Sequence, residues 1–240
     1  MVFTQSLATM NSNRRTRIKI CCLASLEEVQ MAIDAGADAV GFVCAIPTSV
    51  RTIDKQKVAQ ITPVVPPTIE TFLLTSETNA SNIAENVRLT GASTVQILSH
   101  ISLEDSERLS ELLPNTKKVK VVHVESEKSF DLIDKYSPYV HAFLLDSGKP
   151  NLKTPEYGGT GRTHDWTISA EFVRRSPIPV FLAGGLNSEN VLDAIKLVRP
   201  FGVDLCSGAR TNNRLDPQKL EAFITQIQRA DFDLLNDSNP

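Results

Sequence analysis

The sequence is poor in cysteine and lacks any long apolar run. Four cysteines in 240 residues, without regular spacing, argue against a disulfide scaffold and are typical of a reducing compartment. No apolar run approaches the ~18–20 residues that a membrane helix needs. Neither sign of charge is in large excess, because the net charge is only −3. This balance excludes a strongly basic surface of the kind that binds nucleic acid. We therefore expect a cytoplasmic protein that has neither a nucleic acid nor a membrane as its partner.

What the chain does contain is a regular alternation of strand-like and helix-like segments. Eight short runs rich in valine, isoleucine and leucine are each followed by a helical pattern, and the runs span residues 17–22, 39–44, 69–76, 94–99, 118–124, 142–147, 179–185 and 202–208. Eight such units in 240 residues predict a single (β/α)8 TIM barrel, whose usual size is ~250 residues. Strands that are apolar throughout indicate a parallel sheet covered on both faces. A doubly wound open sheet is the alternative, but no G-x-G-x-x-G follows the first strand.

The chain contains no linker that would divide it. We predict a flexible N-terminal extension over residues 1–16, a barrel domain over 17–229 and a flexible C-terminal tail over 230–240. The first segment has no acidic residue and several serines, threonines and arginines, a composition shared with transit peptides. A targeting segment is therefore the alternative for residues 1–16.

Two residues at strand ends are candidates for acid–base chemistry, because the active groups of such barrels lie at the carboxyl ends of the strands. Asp146 ends the run "FLLD", and it points into the barrel mouth if Leu144 faces inward. A carboxyl against apolar neighbours can retain its proton and act as a general acid; a salt-bridged aspartate is the alternative. Cys21 lies near the end of the first run, where its thiolate could act as a base beside a positive charge. The alternative for Cys21 is a small buried apolar residue.

Glycine-rich segments follow the last strands. Gly184 and Gly185 lie in "AGGLNSENV", and "CSGAR" follows the eighth strand. In barrels these two loops often bind a phosphate through backbone N–H groups, which a Cβ would hold away. A third segment, "YGGTGRTHDW", suits a loop that covers the phosphate. Glycines that only turn the chain are the alternative.

Seven segments occur together and in order: "KIC", "DAGADAVGFV", "SVR", "LLDS", "GGTGRTHDW", "LAGGLNSENV" and "GVDLCSG". In this combination the chain resembles the phosphoribosylanthranilate isomerase family of tryptophan biosynthesis from about residue 17 to residue 228. The resemblance implies a (β/α)8 enzyme that performs an Amadori rearrangement of an aminoaldose phosphate into an aminoketose phosphate.

The resemblance also implies a role for each matching residue. Cys21 corresponds to the general base, Asp146 to the general acid, and Arg51 to the arginine that holds the anthranilate carboxylate. The residues that correspond to the loops around the substrate are Gly158, Gly159, Thr160, Gly161, Gly184, Gly185, Ser207 and Gly208. We expect a phosphorylated small-molecule substrate, a monomer or homodimer, and neither a metal nor an organic cofactor, because the chemistry is proton transfer alone.

Several positions depart from the family pattern. Cys22 replaces the glycine of K-I-C-G, and we expect its side chain to point away from that of Cys21. Leu98 and Ser99 replace a His-Gly pair, and Arg210 stands where the family has glutamate, which could strengthen anion binding or disturb a salt bridge. A diverged paralogue that isomerises or only binds another phosphorylated sugar derivative is therefore the alternative function.

The four cysteines also fall near the ends of the first, second and eighth runs, which become neighbours when a barrel closes. A thiolate metal site is an alternative for Cys21, Cys22, Cys44 and Cys206. The absence of any Cys-x-x-Cys pair argues against it.

Overall fold

The computed structural model describes residues 15–44, 46, 49–148 and 161–237. Eight parallel strands close into a barrel in sequence order, with the eighth strand beside the first. The strands are β1 Arg17–Ile20, β2 Ala39–Val43, β3 Glu70–Thr75, β4 Thr94–Ile97, β5 Lys117–His123, β6 Ala142–Asp146, β7 Val180–Leu182 and β8 Gly202–Leu205. The predicted barrel is confirmed.

A helix follows each strand. The helices are α1 Leu26–Asp34, α2 Lys55–Ile61, α3 Ala80–Thr90, α4 Leu103–Leu112, α5 Asp131–Tyr136, α6 Trp166–Arg175, α7 Val191–Val198 and α8 Pro217–Asp237. The side chains of Ser25, Asn79 and Ser102 cap α1, α3 and α4 by accepting hydrogen bonds from first-turn amides. A short antiparallel pair, β9 Arg210–Thr211 and β10 Arg214–Leu215, lies between β8 and α8. Among the described helices, none combines the length and apolar character that a membrane crossing requires.

The last helix extends beyond the C-terminal limit that the sequence analysis predicts for the barrel domain. We set that limit at residue 229, whereas α8 continues to Asp237. Both the backbone N–H and the hydroxyl of Thr16 donate to the Asp231 carboxylate, at 2.9 and 2.6 Å. Residues 1–14 and 238–240 of the predicted extension and tail lie outside the described residues.

Alternation along β6 assigns its side chains to two different layers. Phe143 and Leu145 pack in the layer between the sheet and the helices, whereas Leu144 packs inside the barrel. Inside, the Phe181 ring meets those of Phe72 and Phe201 edge-on, with centroids 6.3 and 5.2 Å apart. Because side chains two residues apart share a face, Asp146 follows Leu144 toward the barrel mouth, as predicted.

Candidate active site

Asp146 is the last residue of β6. Its Oδ1 accepts a hydrogen bond from the Ser147 backbone N–H at 2.7 Å. Burial raises the pKa of the Asp146 carboxyl to about 6, the hydrogen bond from Ser147 opposes that rise, and the charges of Asp204 and Lys19 act in opposite directions. A carboxyl with this pKa is close to neutral pH and is suited to donate a proton.

Cys21 follows β1 directly and lies inside the barrel, with only 2% of its surface exposed. Its backbone N–H donates to the Leu205 carbonyl at 2.8 Å, which extends the β1–β8 pairing by one residue. A Cβ added to Gly41 would lie 3.0 Å from the Cys21 Sγ and 3.2 Å from the Lys19 Nζ. The thiol and the ammonium group therefore share the space that this glycine leaves open.

A buried ion pair lies below Cys21. Lys19 Nζ and Asp204 Oδ1 are 2.8 Å apart, and the Lys19 side chain has no exposed surface. Burial alone would lower the pKa of Lys19, but Asp204 and Cys21 more than offset it, so that the pKa lies above its ordinary value. The sequence analysis did not single out this pair. The available signal was a charged residue flanked by apolar residues in each of two strands, Lys19 in "RIKICC" and Asp204 in "GVDLC".

Cys22 does not point away from Cys21, so that prediction was wrong. Both side chains pack in the interior cluster, and their Sγ atoms are 3.7 Å apart. The reason is that β1 ends at Ile20 and Cys22 has a φ of 63°, in the left-handed region, where strand alternation no longer applies. A glycine adopts this conformation at no steric cost, which accounts for the glycine of the K-I-C-G pattern.

Arg210 forms a salt bridge with Glu28, which was neither of the two possibilities left open for it. Its guanidinium donates to Glu28 Oε1 at 3.1 Å and to the Asn213 carbonyl at 2.9 Å. It also donates to the carbonyls of Cys21 and Cys22 at 3.2 and 2.7 Å. These contacts fasten the end of β1 to α1 and to the loop after β8, and they direct the guanidinium toward protein groups.

Arg51 follows β2 and lies near the end of β8. Its Nε is buried and has no hydrogen-bond partner among the described residues. Its positive charge acts on Cys206, which follows β8. The pKa of Cys206 is lowered by a hydrogen bond with Cys22 and also by the charge of Arg51, whereas burial raises it. A buried donor without a partner is costly unless a ligand accepts from it. Arg51 therefore suits an anionic group bound in the mouth.

The glycines of the last two loops allow neighbouring loops to pack directly against each other, the loop after β7 against that after β6 and the loop after β8 against that after β7. A Cβ on Gly185 would lie 2.5 Å from the Arg162 carbonyl carbon, and one on Gly208 would lie 2.1 Å from the Leu186 carbonyl oxygen. Gly185 also has a φ of 67°. The sequence analysis explained these glycines by approach to a phosphate, but contact between loops already requires them. Ser207 begins a single 3₁₀ turn that contains Gly208.

The long loop before α6 is described only in part. Gly158, Gly159 and Thr160 lie outside the described residues, whereas Gly161 is described and exposed, with a φ of 71°. His164 was not predicted for the site. Its Nε2 lies 2.7 Å from Ser169 Oγ, and burial lowers its pKa to about 4, so that the imidazole is neutral at pH 7.

Gly184 lies between His164 and Ser147, the residue after the candidate acid Asp146. A Cβ on Gly184 would lie 2.9 Å from the Ser147 backbone nitrogen and 3.1 Å from His164 Nδ1. The loops after β6 and β7 therefore meet beside Asp146, and a larger residue at Gly184 would separate them.

Comparison with known proteins gives a consistent result. A family model described as N-(5'phosphoribosyl)anthranilate (PRA) isomerase matches residues 18–226. A relative named N-(5'-phosphoribosyl)anthranilate isomerase 2, from Methanosarcina mazei, is 35% identical over 222 residues, which cover 92% of this chain and 97% of the relative.

Two solved structures share the fold over nearly the whole barrel. Each has a TM-score of 0.75 and 27% identity, and covers 89% of this chain and 99% of its own. One contains monomers generated from the dimeric phosphoribosylanthranilate isomerase of Thermotoga maritima. The other is a phosphoribosylanthranilate isomerase in complex with reduced 1-(o-carboxyphenylamino)-1-deoxyribulose 5-phosphate.

Proposed function

This chain belongs to the phosphoribosylanthranilate isomerase family, and we propose that it works with Cys21 as general base and Asp146 as general acid. It is an isomerase of tryptophan biosynthesis that converts N-(5-phosphoribosyl)anthranilate into the 1-deoxyribulose 5-phosphate aminoketose. The observation that carries the assignment of roles is Asp146, a carboxyl inside the barrel mouth whose pKa burial raises to about 6.

The first step is opening of the ribose ring. Asp146 donates its proton to the ring oxygen as the bond between that oxygen and C1′ breaks, which leaves a protonated Schiff base. The low-dielectric surroundings that raise the pKa of Asp146 to about 6 help the carboxyl to retain its proton near neutral pH, so that a proton is available for the developing alkoxide.

The second step is removal of the C2′ proton by the Cys21 thiolate. The product is an enolamine, which tautomerises to the ketone. Lys19 supports this role because its ammonium group occupies the same gap beside Gly41 as the Cys21 Sγ, and a nearby positive charge stabilises a thiolate. Asp204 in turn holds the Lys19 ammonium in position.

Substrate binding requires two anion sites in the mouth. We assign the anthranilate carboxylate to Arg51, whose buried Nε lacks a protein partner among the described residues. We assign the phosphate to the backbone of the loops after β6, β7 and β8, in which the residues concerned are Gly158, Gly159, Thr160, Gly161, Gly184, Gly185, Ser207 and Gly208. The ligand in the solved relative carries a carboxyphenyl group and a phosphate, which supports this division.

Proton transfers to and from protein side chains are sufficient to catalyse each step of this reaction. We therefore expect the reaction to proceed without an added metal or organic cofactor. The four free thiols suit the reducing cytoplasm, where we place the enzyme. We expect a monomer or a homodimer, which analytical ultracentrifugation distinguishes.

Rescue of a tryptophan auxotroph that lacks the isomerase tests the activity, and purified variants test the roles. Cys21→Ser and Asp146→Asn should each abolish rescue and lower kcat by at least ~10²–10⁴-fold. Cys44→Ser is the matched control, because Cys44 is buried near the same rim but packs in the outer layer. Near-wild-type kcat in Cys21→Ser would remove Cys21 from the role of base.

A further inference from the structure

Two thiols meet where the barrel closes. Cys22 follows β1 and Cys206 follows β8, the two strands that complete the ring. Their Sγ atoms are 2.7 Å apart, within van der Waals contact. The Cys21 Sγ lies 3.7 Å from that of Cys22. Neither Cys22 nor Cys206 has a role in the proposed isomerase mechanism.

The two thiols differ in exposure and in pKa, the two properties that determine which cysteine a peroxide oxidises first. Cys206 is partly exposed, whereas Cys22 is buried. The hydrogen bond between them lowers the pKa of Cys206 and raises that of Cys22, and the charges of Arg51 and Arg210 also lower the pKa of Cys206. Of the two, Cys206 therefore loses its proton more readily to give the reactive thiolate, and Cys22 supplies a neighbouring thiol that retains its proton.

We propose that Cys22 and Cys206 are a modification site, a dithiol that hydroperoxides convert into a disulfide between the ends of β1 and β8. The Cys206 thiolate attacks a peroxide oxygen, the O–O bond breaks, and the departing oxygen takes up a proton. Cys206 is then a sulfenic acid. The Cys22 sulfur attacks the Cys206 sulfur, the S–O bond breaks, and the hydroxide leaves as water with the Cys22 proton. The two cysteines lose two electrons, and hydrogen peroxide is reduced to two molecules of water.

Geometry favours Cys206 over Cys21 as the partner of Cys22. A disulfide bond is about 2.05 Å long, so that the Cys22 and Cys206 sulfurs must approach by less than about 1 Å from their separation of 2.7 Å. A bond between the adjacent residues Cys21 and Cys22 would instead close a small ring through one planar peptide group and strain it.

The disulfide should slow the isomerase, a consequence that rests on the proposed role of Cys21. Closing the bond moves the residue directly after the proposed base, and a displacement of about 1 Å at a reacting group can cost ~10²-fold in rate. Formation of the disulfide itself does not depend on that role, so that mass spectrometry and kinetics test the two statements separately.

The test treats the full chain with hydrogen peroxide, blocks the remaining thiols with iodoacetamide, and analyses peptides made with trypsin and a glutamate-specific protease. This digestion places Cys44 and Cys206 in different peptides from Cys21 and Cys22. We expect the Cys206 peptide to be linked to the one that begins at residue 20, and the kcat to fall several-fold to ~100-fold and to recover with dithiothreitol.

Three variants identify the sulfurs. Cys206→Ser and Cys22→Gly should each lack the link and lose less activity in peroxide than the wild type, whereas Cys44→Ser should behave like the wild type. Absence of the link in the folded wild-type protein, or a link that persists in Cys22→Gly, would overturn the proposal. A complete link without any loss of kcat would overturn its effect on catalysis.

Discussion

At the scale of single residues, Asp146 combines a chemical benefit with a cost in stability. Its pKa is about 6 in the folded protein against an ordinary 3.8. The native state therefore binds a proton between about pH 4 and pH 6 that the unfolded chain has already released. Stability contributed by this group is complete below about pH 4 and is lost as the pH rises through about 6, which amounts to roughly 2–3 kcal/mol at pH 7.

Asp146→Asn should consequently abolish turnover while stabilising the fold at neutral pH. Asparagine keeps an oxygen that can accept from Ser147 but carries no charge to bury. We expect the free energy of unfolding in urea to exceed that of the wild type by up to about 2–3 kcal/mol at pH 7, and by progressively less toward pH 4. Equal stabilities at pH 7 would contradict the raised pKa.

We expect Arg51 to give the enzyme its preference for a substrate that carries a carboxylate. A hydrogen bond to a charged group contributes about 1.5–3 kcal/mol, so that Arg51→Ala should lower kcat/KM for the anthranilate substrate roughly ten- to a hundredfold. Inhibition by ribulose 5-phosphate, which lacks the carboxylate, is the control and should hardly change. An equal loss for both ligands would assign Arg51 to the phosphate instead.

At the scale of secondary-structure elements, Arg210 joins parts that are far apart in the chain. The sequence analysis placed its charge beside the phosphate, but its described partners are Glu28 on α1 and the carbonyls after β1. Glu28 also accepts from the backbone N–H groups of Ala24 and Leu215, at 2.8 Å each. One buried ion pair thus connects β1, α1 and the β9–β10 hairpin.

Arg210→Met should destabilise this junction, because it leaves the Glu28 charge without its cation and three carbonyls without this donor. Removing one partner of a buried ion pair costs about 3–5 kcal/mol, which urea unfolding would measure. Arg214→Met, an exposed arginine of the same hairpin, is the matched control and should change stability by at most about 0.5 kcal/mol. A similar small effect in both variants would show that the ion pair is unimportant to stability.

At the scale of the whole molecule, contacts between the two ends of the chain hold the barrel closed. Thr16 binds Asp231 across 215 positions, and Lys19 binds Asp204 across 185 positions. Such contacts form only when β8 has joined β1, so that the active-site mouth and the fold are completed together.

Truncation tests the contribution of the last turns of α8. A chain that ends at residue 229 loses Asp231, the buried Ala230 and the ion pair of Asp233 with Lys196. We expect its free energy of unfolding to fall by about 1–3 kcal/mol, from the unsatisfied Thr16 groups alone. A chain that ends at residue 237 keeps these contacts and is the control. Equal stability of the two truncated chains would contradict a role for residues 230–237 in the fold.

The sequence by itself determined the barrel and the positions of Cys21 and Asp146. Both follow from local patterns: eight alternations of apolar strand and amphipathic helix, and the rule that reacting groups lie at strand ends. A period of two along one strand placed Asp146 on the same side as Leu144, but only the structure showed that this side is the interior of the barrel.

Tertiary structure alone decided the direction of Cys22, the Lys19–Asp204 pair and the partners of Arg210. Cys22 turned inward because its backbone left the strand conformation, which no side-chain pattern in its neighbourhood encodes. The other two depend on closure of β8 against β1, which brings together groups that are more than 180 positions apart in the chain. Local sequence patterns contain both members of such a pair but not the distance between them in the folded protein. That distance decides whether a charged group has a partner of opposite charge and whether two thiols are in contact.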